Sequence, residues 1–288
     1  VINDNLNIPS DDLQIVRDLS LLYSDWIPAL KSVLYKHRYA KDPQLKKGVL
    51  IRGERLNNKI RELGIHYFID LQINQDSSFY LDTRYLRAWL LQHMNGKSVL
   101  NTFAYTGSLG VAALAGGASK VVQVDLNRKF LEISHQSCAL NGFSTHSMKL
   151  IAGDFYRVIG NYRHSGKLFD CVIIDPPHFS TTTAGRVDLV NESTRLINKV
   201  RPLVAHNGYL IIVNNALFLS GERYMQELEE LCQGPYLEID RIIPVPQDVI
   251  GYLETIVAQL PVEIQPFNHS TKIVVLSLQR KDKRGSND

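Results

Sequence analysis

Acidic residues and glycines stand at the ends of four successive apolar runs, where their chemistry suits holding a nucleotide against an acceptor. The first run, 98–103, passes Asn101 and ends in Phe103-Ala104-Tyr105-Thr106-Gly107, with Ser108-Leu109-Gly110 beyond. Glycine there permits positive φ and close approach of the backbone to a ligand. A dinucleotide fingerprint would show G-x-G-x-x-G at this turn; Ala104 or Tyr105 stands in place of the first glycine, which argues against a dehydrogenase. The second run, 120–125, ends in Asp125, followed by Leu126 and Asn127. A carboxylate on the second strand tip accepts hydrogen bonds from both ribose hydroxyls of an adenosine; capping the helix that starts near Asn127 is its other use. The third run, 148–152, leads to Asp154-Phe155, an acid that suits the adenine amino group beside a flanking ring, or else a second helix cap.

The fourth run, 169–174, ends in Asp175-Pro176-Pro177-His178-Phe179. Two prolines fix φ, supply no N–H and keep the rim extended. A rigid rim with Phe179 or His178 beside it suits a flat base stacked near the reacting group. His178 could also act as a base or be a surface histidine. After the fifth run, 208–213, come Asn214-Asn215, amides able to orient an acceptor. The loop Pro266-Phe-Asn-His269-Ser-Thr-Lys272 reads either as substrate-facing, with Lys272 on a phosphate, or as ordinary turn chemistry.

Positioning these groups takes seven strands. Beyond the five runs above, 236–243 and 272–279 are also strand-like, and helical patterns at 83–94, 107–116, 127–141, 188–203 and 221–232 lie between them. Such alternation implies an α/β, doubly wound, mostly parallel sheet with right-handed crossovers. Upstream, Ser10 to Tyr39 has helical spacing of apolar residues, interrupted at Pro28, and 48–82 holds short β-like runs, VLIR, IHYFIDLQI and SFYLD. The expected division is a helical and β-hairpin appendage over 1–82 and a catalytic domain over 83–288. The basic segment Lys36 to Lys47 reads as a solvated connector or a phosphate contact.

With 288 residues, 44% hydrophobic and 21% charged, the composition is that of a globular chain with no membrane-length apolar window. The first twelve residues do not read as a secretory signal. Three scattered cysteines, Cys138, Cys171 and Cys232, match neither a metal site nor a disulfide framework and point to a cytoplasmic setting. A net charge of +3 permits a polyanionic partner without requiring one.

The set Asn101-x-Phe-Ala-Tyr-Thr-Gly107, Val-Asp125, Leu140-Asn-Gly142 and Asp175-Pro-Pro-x-Phe179 resembles the large-subunit (23S) ribosomal RNA base methyltransferases, over roughly 65–280. Phe79-Tyr-Leu-Asp82-Thr-Arg84 resembles that family's extra cofactor motif. The resemblance implies a methyltransferase sheet ending in an antiparallel hairpin, S-adenosylmethionine as cofactor (S-adenosylhomocysteine as product) and ribosomal RNA as partner. It also implies that Arg84 and the Phe103–Gly107 loop surround the methionine moiety, Asp125 the ribose, Asp154 the adenine, and Asp175 the acceptor. Arg84 suits a carboxylate by its forked guanidinium, or is a surface arginine.

In the related cytosine enzymes a cysteine follows the fifth strand and adds to the ring. Here Asn214-Asn215 stand there, which resembles the guanine-N7 half of a bifunctional enzyme, as does Phe179-Ser180 after the prolines. The expectation is therefore methyl transfer to a guanine nitrogen. A small-molecule or protein acceptor, or a catalytically silent RNA-binding homologue, are the competing readings.

Overall fold

A computed structural model describes residues 10–37, 39–74, 76–177, 179–182, 185–252 and 260–286. The chain falls into two compact units, one of 1–62 with 68–79 and the other of 63–67 with 80–288. The first holds α1 (Ser10–Trp26), β1 (Val33–Tyr35), α2 (Pro43–Lys47), β2 (Val49–Arg52) and β3 (Lys59–Glu62). Strand β1 runs antiparallel to β2, with Leu34 opposite Leu50. Ala40, Leu45 and Ile51 form a small buried core, against which Leu13, Val16, Val33, Tyr35 and Val49 pack.

Two upstream expectations are corrected here. The first helix stops at Trp26, just before Pro28 as expected, but the stretch on to Tyr39 holds a strand and not a second helix. The residue before Pro28 is disfavoured in α conformation, and Val33 and Tyr35 are better used on a strand packed against Ile51. The basic connector contains a helix: Asp42 caps it by accepting from Gln44 N, with Pro43 at its first position. Lys36 donates to the carbonyls of Asn74 and Asp76 at 2.9 and 2.8 Å, so its ammonium serves that fold locally.

At the boundary lies β4 (Ile65–Phe68), and the remaining elements follow in order: α3 (Arg84–His93), β5 (Ser98–Thr102), α4 (Ser108–Ala115), β6 (Lys120–Asp125), α5 (Arg128–Leu140), β7 (Met148–Ala152), α6 (Phe155–Ser165), β8 (Phe169–Ile174), β9 (Phe179–Thr182), β10 (Gly185–Asp188), α7 (Ser193–Val200), β11 (Val204–Asn214), α8 (Gly221–Leu231), β12 (Leu237–Ile243), α9 (Gln247–Ile250) and β13 (Lys272–Leu278). Seven strands form one sheet in the order β12-β13-β11-β8-β5-β6-β7. Strand β13 is antiparallel to β11 and β12, while β11, β8, β5, β6 and β7 pair in parallel. This is the doubly wound sheet that the strand–helix alternation implies, closed by the antiparallel β12–β13 pair that the resemblance implies.

Strand order reverses beside β5, so β5, β6 and β8 leave a crevice at their carboxyl ends. Thr102 lies opposite Ile174, and Asp125 opposite Ala152, so the tips end on one edge. Beneath that edge, Leu100, Val122, Val172, Leu210 and Val274 meet α6, α7 and α8 through Ile159, Leu196, Ile197 and Leu228. Helix α6 lies outside the helical segments expected above, although Phe155, Val158, Ile159 and Tyr162 recur at helical spacing on its core face. Asp154 and Gly166 cap its two ends. The hairpin β9–β10 was also unforeseen; it follows the double proline directly. The strand expected at SFYLD is a turn instead, where buried Arg87 donates to Thr83 Oγ1 and to the Tyr80 carbonyl.

Asn141, within the Leu-Asn-Gly motif, has a structural use. Its amide donates to the carbonyls of His66 and Ser137 and accepts from His66 N, fastening β4 to the end of α5. Replacing Asn141 by Ala leaves backbone groups of a half-buried strand without partners. It is expected to cost about 2–3 kcal/mol, read as a lower Tm in thermal unfolding, with calorimetric affinity for S-adenosylmethionine unchanged.

Candidate active site

The five parallel strand tips surround a cavity of about 440 Å³. Its making begins with the turn after β5. Phe103 and Tyr105 both take left-handed φ, +56° and +51°, a conformation that costs a non-glycine residue about 1 kcal/mol or more. The turn is held against that cost from two sides. Ala104 N donates to Val124 O, and Tyr105 N donates to Asp125 Oδ2, each at 2.8 Å. The other carboxylate oxygen of Asp125 accepts from Asn127 N at 2.9 Å. Burial raises the Asp125 carboxyl above its ordinary value, while the N–H groups of Asn127, Tyr105 and Leu126 pull it back. The helix cap of α5 is Asn127, whose side chain accepts from Lys129 N. Asp125 is therefore not spent on capping.

Gly107 has a different role from close approach to a ligand. It sits at φ +77°, and a Cβ would come within 2.4 Å of Gln123 Nε2 and 2.5 Å of Ser134 Cβ. The glycine lets α4 settle onto the sheet and α5. Gln123 donates to the Gly107 carbonyl and accepts from Asn101 Nδ2, a fully buried polar chain under the turn. Gly107 and its buried neighbour Thr106 do not line the cavity; Asn101, Phe103, Ala104 and Tyr105 do.

One wall is aromatic. Phe103 stacks on Phe155 with ring centroids 4.6 Å apart, and Tyr105 lies 5.5 Å from Tyr80. Leu126 and Asp154 also face the cavity. Asp154 additionally caps α6, its Oδ1 accepting from Arg157 N at 3.1 Å. Both uses foreseen for this acid are thus open to it, since a cap occupies one oxygen.

The opposite end is acidic. Asp175, Pro176 and Pro177 from the β8 tip line it together with Asp82, Asn215 and Thr271. Thr271 Oγ1 donates to Asp82 Oδ2 at 2.9 Å. Asp82 Oδ1 and Asn215 Oδ1 are buried and have no hydrogen-bond partner among the described residues. The Asp175 carboxyl is pushed up to about 7 by burial, with the Asp82 charge adding to the rise.

Several expected site residues lie elsewhere. Arg84 forms a two-pronged ion pair with Asp248, at 2.8 and 2.7 Å, and does not line the cavity. Asn214 is fully buried, donating to Leu189 O and accepting from Ala216 N; its neighbour Asn215 reaches the cavity instead. Lys272 is also fully buried, its ammonium donating to the carbonyls of Ala216 and Ser270, so it has no face for a phosphate. His269 Nδ1 accepts from Thr271 N in the adjoining turn. His178 and the Phe179 side chain lie outside the described residues. Tyr156, Gly185 and Val187 also line the cavity, without a local signal in the sequence. Tyr80 and Thr271 line it too, and each lies within a segment expected at the site, Phe79–Arg84 and Pro266–Lys272.

A family profile described as S-adenosylmethionine-dependent methyltransferase matches residues 14–241. Ribosomal RNA large subunit methyltransferase I of Photobacterium profundum is 39% identical over 200 residues, covering 64% of this chain and 50% of the relative. The Aeromonas hydrophila protein of the same name is 39% identical over 121 residues, covering 42% of this chain and 30% of the relative. The chain thus spans half or less of the length of these relatives. A solved structure described as a methyltransferase complexed with SAH aligns with a TM-score of 0.75 at 21% identity, over 92% of this chain and 66% of that one, a likeness of fold.

S-adenosylmethionine fits this lining. The aromatic wall suits its adenine, and the acidic end, with two buried acceptor oxygens short of donors, suits its ammonium and cationic sulfur. Two outcomes are expected. Asp125→Ala removes a buried acceptor and loosens the turn, weakening calorimetric cofactor affinity about 10- to 100-fold. Asp82→Asn removes the neighbouring charge, so the Asp175 carboxyl, followed by carboxyl-carbon NMR, titrates lower than in the wild type; an unmoved titration would deny the coupling.

Proposed function

We propose that this chain, which belongs to the S-adenosylmethionine-dependent methyltransferase family, methylates a base of RNA, and that the acceptor atom is a guanine nitrogen. The observation that carries the choice of base is a cavity end rich in proton acceptors and without a thiol. With Asp82 Oδ1 and Asn215 Oδ1 given to the cofactor, the Asp175 carboxylate is left to accept from the N–H groups that guanine offers along its pairing edge. None of the three cysteines lines the cavity, and burial raises each thiol; Cys138 reaches about 11. A pyrimidine carbon needs a thiolate added to its ring before it can attack, so that route has no nucleophile here. Support for RNA comes from the name carried by the relatives that match at 39% identity.

In this reading Asp125 accepts from the ribose hydroxyls, Asp154 from the adenine amino group, and Phe103 and Phe155 flank that ring. Asp82 and Asn215 receive the donors of the methionine moiety. The bound cofactor supplies an electrophilic methyl on a cationic sulfur. What remains for the protein is alignment and electrostatics. Pro176 and Pro177 keep the rim extended beside the acceptor, and holding the two reacting atoms in line supplies much of the rate. The Asp175 carboxylate orients a guanine N–H, and accepts the released proton where the acceptor is the exocyclic amine. His178 and Phe179 follow Pro177 in sequence.

A carboxyl that titrates near 7 makes the rate depend on pH. Only the ionised form accepts a hydrogen bond from guanine on both oxygens. Below that value Asp175 is protonated, so kcat/KM is expected to rise about tenfold per pH unit and to level off above it. Asp175→Asn should lower turnover about 100-fold or more and abolish the rise, with cofactor affinity little changed. Nucleoside mass spectrometry of RNA from cells lacking the protein should show one methylated guanosine missing. Loss of 5-methylcytidine instead would refute the guanine assignment, and an unchanged RNA profile would refute RNA as substrate.

A further inference from the structure

Tyr156 belongs both to the cavity wall and to a basic surface that cofactor binding does not use. Its ring lines the cavity beside Gly185, whose Cα lies so close to the ring that a Cβ there would clash. The guanidinium of Arg195 lies 5.8 Å and the ammonium of Lys199 5.9 Å from the ring centroid. Both cations come from successive turns of α7, one helical repeat apart, so they face α6 together. On α6, Arg163 follows Tyr156 by seven residues on the same stripe, and Arg157 and Arg163 are exposed. Helix α6 also packs against the turn Arg201–Leu203 that ends α7, adding exposed Arg201.

Charge is segregated here. The segments 155–168 and 193–203 carry Arg157, Arg163, Lys167, Arg195, Lys199 and Arg201, and neither contains a single Asp or Glu. The whole chain is only +3, so the rest of it is net negative. The carboxylates near this patch are Glu192, which pairs with Arg195 at 2.9 Å, and Asp154, which caps α6. One pair leaves the excess standing. A surface salt bridge of this kind contributes little and yields readily to a competing anion.

We infer that the α6–α7 surface around Tyr156, Arg195 and Lys199 is the docking track for the phosphate backbone of the substrate RNA next to the target nucleotide. The inference rests on the proposed RNA acceptor. A base entering the cavity brings its own flanking phosphates to the rim, so the cations that neutralise them must lie within a nucleotide or two of the opening. Arg195 and Lys199 meet that requirement because the residue they flank is itself a cavity wall. Phosphate contacts of this kind position the strand without reading its sequence. The geometry does not depend on which base is methylated.

The test is salt-dependent binding of a fluorescein-labelled single-stranded oligoribonucleotide, followed by anisotropy, to the whole chain. The variants are Arg195→Gln/Lys199→Gln and a control, Lys120→Gln/Arg241→Gln, that removes two exposed cations elsewhere. The α7 double variant should bind the RNA at least tenfold more weakly at about 0.1 M salt, and its slope of log affinity against log salt should be shallower by about 1.4, or 0.7 per lost contact. Its calorimetric affinity for S-adenosylmethionine should equal that of the wild type, which also verifies folding. Equal RNA affinity and slope in wild type and the α7 variant would overturn the docking track while leaving an RNA acceptor standing, as would an equal loss in the control. Labelled polyglutamate losing affinity where RNA does not would assign the patch to an acidic protein and overturn it likewise. A wild type that binds cofactor but neither binds nor methylates RNA would remove the RNA reading itself, and the docking track with it.

Discussion

The carboxylate of Asp125 joins two segments that the chain makes separately. One oxygen accepts from Tyr105 N in the turn after β5, and the other from Asn127 N at the start of α5. Without it the turn would lose one of the two hydrogen bonds that hold the left-handed conformations of Phe103 and Tyr105, the other being Ala104 N to Val124 O. The aromatic wall would then lose its geometry, since Phe103 stacks on Phe155 only while the turn keeps its shape. The price of this arrangement is a half-buried charge, and three backbone N–H groups offset it.

A second constraint lies under the turn. Gln123, Asn101 and the Gly107 carbonyl satisfy one another inside an otherwise apolar layer. A polar group there without a partner is costly, so the chain of hydrogen bonds fixes the height at which α4 sits above the sheet. Gly107 and Gly110 are the two residues small enough to allow it, both lying against the Gln123 side chain. The glycines thus act on the cavity indirectly, by setting the seat of a helix.

The acidic end works by the opposite principle. Asp82 and Asp175 repel, and burial strengthens the effect, so the pair favours cations and donors over anions. A cationic cofactor is suited to such an end, and an anionic nucleic acid is not. The cations that could receive a phosphate backbone are instead outside, on α6 and α7, with Tyr156 marking the border between the two potentials. Under the proposed RNA acceptor, separation of the two signs would let one rim serve a positively charged methyl donor and a polyanion.

The amino-acid sequence alone determined the strand runs, their order along the chain and the acids at their tips. These are local properties: apolar runs of strand length between helical periods, each ending in Gly, Asp or Pro. Twelve of the eighteen proposed site residues, among them Asp82, Asp125, Asp154 and Asp175, therefore come together as the spacing implies. Tertiary structure decided which way each side chain turns. Asn214 or Asn215 was undecidable locally, because one position on a strand exchanges the core for the cavity. Arg84, open to a ligand carboxylate or the surface by sequence, pairs with Asp248, a partner 164 residues away that no local pattern reveals. Helix α6 was legible in the helical spacing of Phe155, Val158, Ile159 and Tyr162, but the Tyr156 patch was not, since Tyr156, Arg195 and Lys199 become neighbours only when two helices pack.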